Sequence, residues 1–92
     1  MKIVINRCYG GFGLSRKAEA FMRERGEVVG YHGDIERDNQ HLVAAVESLG
    51  IAASGYLADL RVVEIPDGVA WDIAEYDGME TIHEKHRSWR EP

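Results

Sequence analysis

The apolar positions change period along the chain, and each period predicts an element. Ile3, Val4 and Ile5 form a β-branched run, so Lys2 to Arg7 reads as a strand. Leu14, Ala18, Phe21, Met22 and Arg25 then fall at helical spacing, which predicts a first helix from about Ser15 to Arg25. Ser15 is its N-cap and Gly26 its C′ residue. Glu27 to Asp34 reads as loop, with a short extended piece at Val28-Val29. A second helix is expected from Asn39 to Leu49, capped by Asp38 and stopped by Gly50. Its stripe is Leu42, Val43, Val46 and Leu49, bordered by Ala45. Ala52 to Gly55 is small and loop-like.

The last third alternates with period 2. Leu60 to Ile65 is a strand, and Pro66-Asp67-Gly68 is a turn in which Gly takes the positive-φ place. Val69 to Tyr76 is the next strand, Asp77-Gly78 a type I′ hairpin turn, and Met79 to about His86 the returning strand. The register follows: Tyr76 faces Met79, Ile73 faces Ile82, and Asp72 faces His83. Val69, Trp71, Ile73 and Ile82 then share a face expected to lie against the helices. Ala70, Asp72, Ala74, Tyr76, Thr81, His83 and Lys85 share the other. Glu75 faces Glu80, a like-charge pair that is either screened by solvent or matched by a cation or a basic partner. The expected order is β-α-α-β-β-β, an α+β fold with two helices on one face of a small, mostly antiparallel sheet. The second sheet face leaves room for a homodimer.

Composition narrows the class. The chain has 92 residues, which sets the expectation of a single domain over 1–92. Apolar residues make up 45% and charged residues 29%, values of a folded rather than a disordered chain. No apolar run approaches the ~20 residues of a membrane span, and the start turns polar too soon for a signal peptide. One cysteine excludes an internal disulfide and suits a reducing cytosol. Net charge is −5, unevenly placed. Residues 1–40 carry seven Lys/Arg against six Asp/Glu; residues 41–92 carry four against ten. That acidic half argues against broad nucleic-acid binding; it is compatible with docking onto a basic protein surface, and equally reads as a solvated acidic sheet face.

The candidate chemistry centres on the glycine-rich stretch between strand and helix. Free N–H groups and a helix N-terminus favour an anion there. The candidate seat is Arg7, Gly10, Gly11, Gly13, Ser15 and Arg16; the other reading is a structural turn. The known phosphate loops do not match. No glycine is followed by lysine, as a Walker A loop requires. The third glycine of a dinucleotide fingerprint is replaced by Arg16. A cysteine phosphatase loop starting at Cys8 would need arginine where Leu14 stands. No spacing ties Cys8 to any histidine as its base. His83 and His86, three apart on a strand, point to opposite faces, so no metal site is expected. No cofactor is expected either. Trp89 between Arg87 and Arg90 has the composition of a binding hot spot; alternatively it tucks against the sheet. Tyr9, Phe12, Tyr31 and Tyr56 lie in or near glycine-containing loops, where their rings offer a stacking wall.

"NRCYGGFGLS" from Asn6 and "EIPDGVAWDIAEYDGMETIHEKHRSW" from Glu64 resemble a group of small proteins encoded in tailed-phage and prophage genomes. The resemblance covers most of the chain and is weakest over residues 20–35. It implies context rather than chemistry, since the group has no assigned activity. That context is a phage accessory protein in a bacterial host cytoplasm that binds a host factor, for example to blunt a defence system. The expectation is therefore a non-enzymatic binding module whose partner is a host protein or a small phosphorylated ligand. The alternatives are a small enzyme using Cys8 or a histidine in nucleotide chemistry, and a structural or assembly protein.

Overall fold

The computed structural model describes residues 1–85; His86 and the tail residues Arg87, Trp89 and Arg90 lie outside them. The elements are β1 (Lys2–Asn6), α1 (Arg16–Glu24), α2 (Gln40–Leu49), β2 (Leu60–Glu64), β3 (Trp71–Tyr76) and β4 (Met79–Glu84). The order β-α-α-β-β-β is the α+β arrangement that the periodicity predicts. Two short 3₁₀ turns, His32–Asp34 and Gly50–Ala53, occupy parts of the segments read as loop.

Local chemistry explains where the helices begin and end. Ser15 Oγ accepts the Ala18 N–H at 3.1 Å, which caps α1. Gly26 adopts φ 92°; its N–H reaches the Arg23 carbonyl and the Glu27 N–H reaches Met22. Those two bonds form a Schellman closure. Helix α2 is capped one residue later than expected. The Asn39 side chain, not Asp38, accepts the His41 and Leu42 N–H groups at 2.8 and 3.1 Å.

The main core lies between the helices and one face of the β1–β2 ladder. Val4 and Leu60 meet Ala18 and Met22 of α1 and Leu42, Val43, Ala45 and Val46 of α2. Leu14, Val29 and Ala53 complete it. Ile3 and Ile5 point to the opposite face of β1, outside this cluster, and are also buried.

The hairpin has the expected register at every pair, from Trp71 opposite Glu84 to Tyr76 opposite Met79. Asp77 and Gly78 both take positive φ, 52° and 92°, as a type I′ turn demands. Its placement differs from expectation. The four strands form two separate antiparallel ladders, β1 with β2 and β3 with β4. The face bearing Trp71, Ile73 and Ile82 does not lie on the helices, because the helix side is already filled by β1 and β2. Strand β4 packs against β1 instead.

Candidate functional site

The hairpin is held to β1 by side chains that stand where ladder hydrogen bonds would be. The backbone groups of Met1 and Arg7 bond to Ile65 and Asp59. By alternation the N–H groups of Val4 and Asn6 therefore point to the other edge of β1. Val4 N–H finds the Arg37 carbonyl at 2.8 Å, and Asn6 N–H finds Glu80 Oε1 at 2.8 Å. An edge left open would be an aggregation hazard.

Glu80 is 5% exposed, and its carboxylate takes two parallel bonds from the Arg37 guanidinium, at 2.5 and 2.8 Å. This bidentate geometry is the strongest form of such a pair. The guanidinium also lies over the Phe12 ring, 3.7 Å from its centroid. Beside the Glu75–Glu80 juxtaposition stands a cation, Arg37, from the segment before α2. Glu75 is turned to other use, and its Oε2 accepts the Gly78 N–H at 2.6 Å.

Asn6, fully buried, ties three segments together. Its Nδ2 donates to the Cys8 and Gly78 carbonyls, both at 2.7 Å, and its Oδ1 accepts the Asp59 N–H at 2.8 Å. Arg61 donates two bonds to the Asp59 carboxylate and holds that carboxyl below the ordinary aspartate range. His32 serves the other end of the loop. Its Nδ1 accepts the Leu14 N–H at 3.1 Å, so Nε2 carries the proton directed at Glu19 Oε2, 2.5 Å away.

The residues of the candidate anion seat are placed as follows. Arg7 reaches away to donate to the Glu80 carbonyl at 2.7 Å. Gly10 and Gly11 lie against the hairpin turn: a Cβ on Gly78 would stand 2.4 Å from the Gly11 nitrogen and 2.6 Å from that of Gly10. Gly10 has Leu57 on its other side, at 2.5 Å from where its own Cβ would be. The Gly13 carbonyl accepts the Gly55 N–H. Ser15 is doubly engaged, since its hydroxyl also donates to the Ala52 carbonyl at 2.6 Å. Arg16 opens α1 and is exposed. Trp89, Arg87 and Arg90 fall outside the described residues.

All four tyrosines of the chain are exposed, by 56% at Tyr9, 76% at Tyr31, 78% at Tyr76 and 93% at Tyr56, and two of them, Tyr9 and Tyr31, stand at this glycine seam. Tyr9 and Tyr31 line two clefts, of ≈ 470 and ≈ 450 Å³, that share Gly11, Gly78 and Glu75. Tyr76 begins the hairpin turn, and Tyr56 precedes Leu57, which touches Gly10. Leu57 is itself exposed and held at φ 64°, a costly place for a branched side chain. Sequence reading picked out three of these tyrosines and Phe12. It weighed His32 only among the histidines available as a base for Cys8 and missed Arg37, because nothing in local periodicity marks a contact 43 residues apart such as Arg37 with Glu80.

Among the described residues no group of His, Cys, Asp and Glu is placed to hold a metal. No helix among them is long and apolar enough to cross a membrane. No protein-family model matches the chain, and no curated protein and no solved structure matches it.

Proposed function

We propose that this protein is a non-catalytic binding module. Its partner is a protein of the bacterial host, engaged in the host cytoplasm through the tyrosine-rimmed end of the molecule, in the manner of a phage accessory or counter-defence factor. The observation that carries the reading is the pair of exposed tyrosines, Tyr9 and Tyr31, that line two clefts sharing one glycine seam. Tyrosine gives large, rigid contact area at low entropic cost and dominates binding hot spots. Buried polar bonds from Asn6, Glu80 and Arg37 hold the segments beneath it, which reduces the ordering cost of binding. A non-catalytic role is supported by His32, whose two ring nitrogens are both engaged, and by Cys8, whose sulfur makes its one hydrogen bond among the described residues to the Tyr9 carbonyl at 3.6 Å. A protein partner is favoured over a phosphorylated ligand because Glu75 and Asp77 line the cleft with Gly10 and Gly11 and repel phosphate.

The test is site-specific photocrosslinking in host cells, with the crosslinker at Tyr31 or Tyr9 and a control at Lys17 on the exposed face of α1. A discrete host adduct at the tyrosine positions and none at Lys17 is expected. Equal adducts at all three, or none, would sink the proposal.

A further inference from the structure

We infer that the two clefts form one trough built for an extended, arginine- or lysine-bearing segment of the partner; this rests on the binding role proposed above and adds the chemistry of what is bound. The trough passes from Tyr9 to Tyr31 over Gly11, Gly78 and Glu75, which line both clefts. Its middle is low for a physical reason. Gly11 and Gly78 carry no side chain, and their backbones lie too close together for one to be added to Gly78. An extended backbone can therefore lie across them, with an exposed ring at either end.

Charge selects the occupant. The carboxylates along the trough are Glu75, Asp77 and Glu80, and the basic groups are Arg37 and His32. Arg37 is matched one to one by Glu80, and His32 is bonded to Glu19 and to the Leu14 N–H. Glu75 and Asp77 remain. Glu75 uses one oxygen on the Gly78 N–H, and its other has no partner among the described residues. Two unmatched carboxylates between two tyrosines favour a cation, which gains from both the charge and the ring faces. The same pair disfavours phosphate and acidic peptides. Arginine suits the site best, since its flat guanidinium can lie on a ring and bond a carboxylate in the same pose.

The experiment titrates the ¹⁵N-labelled protein with a capped five-residue peptide carrying two arginines. The comparison peptide carries citrulline, of the same shape but uncharged. The variant is Glu75→Gln with Asp77→Asn. Glutamine keeps the oxygen that accepts the Gly78 N–H, and asparagine tolerates the positive φ of position 77. Amide shifts at Gly10, Gly11 and Gly78 are expected with the arginine peptide, weakened at least about fivefold by citrulline, by the double variant or by high salt. Equal binding of citrulline, or shifts centred away from the seam, overturns the inference. A host protein crosslinked through Tyr9 that binds the double variant as tightly as the parent also overturns it, while leaving the binding role standing. Absence of both peptide shifts and host adducts ends both readings.

Discussion

Glu80 shows how much can depend on one carboxylate. It meets a guanidinium and a backbone N–H at the point where the hairpin touches β1. Removing either charged partner strands the other in a nearly closed site. Glu80→Ala is therefore expected to cost about 3–5 kcal/mol in urea denaturation, and Arg37→Ala a similar amount. The paired change Arg37→Met with Glu80→Leu should cost clearly less than the sum of the single losses, because no charge is then left buried alone. Costs near zero for the single variants would show that the bidentate pair does not hold the hairpin. The sequence hinted at this pair from one side only. The hairpin register placed Glu80 opposite Glu75, a pair that solvent screening would also satisfy, and Glu36-Arg37-Asp38 reads as an ordinary polar loop.

At the scale of elements, local signals were the ones that could be read. Period-2 alternation and Asp77-Gly78 fixed every pair of the hairpin, because a two-residue turn permits one register. Ser15 and Gly26 bounded α1 because capping is chemistry of neighbouring residues. Placement of the hairpin was not legible: its apolar face fits helices or a sheet equally well, and which one is free depends on how the rest has packed. The glycines mark the same division. Gly26 has open space around its missing Cβ, so Gly26→Ala bears only the left-handed backbone penalty, about 1–2 kcal/mol. Gly78→Ala adds a collision with the backbone of Gly10 and Gly11, and is expected to cost about 3–4 kcal/mol. Thermal melts of the two variants give the comparison, and equal shifts would remove the seam from the account.

The whole molecule divides into a helix-backed body and a hairpin outside that body's core cluster. Strands β3 and β4 contribute no residue to the cluster joining Val4, Met22 and Leu42. Their tie to the body runs through polar bonds and through β4 against β1. Native-state hydrogen exchange should accordingly find the hairpin amides opening at least about tenfold more readily than those of α2, a difference of about 1.4 kcal/mol. Uniform protection across both parts would mean a single cooperative unit. The tyrosine-rimmed seam sits on the junction, so a partner that grips both sides would raise hairpin protection.

The bonds of Asn6 also set a clock. Its backbone N–H waits for Glu80, 74 residues further along the chain. On a ribosome adding about 5–20 residues per second, that is on the order of 4–15 s between the synthesis of one partner and the other. Throughout that interval the outer edge of the first strand lacks its last cover. The nascent chain is therefore open to mispairing along β1 until Glu80 has been made and the hairpin can dock.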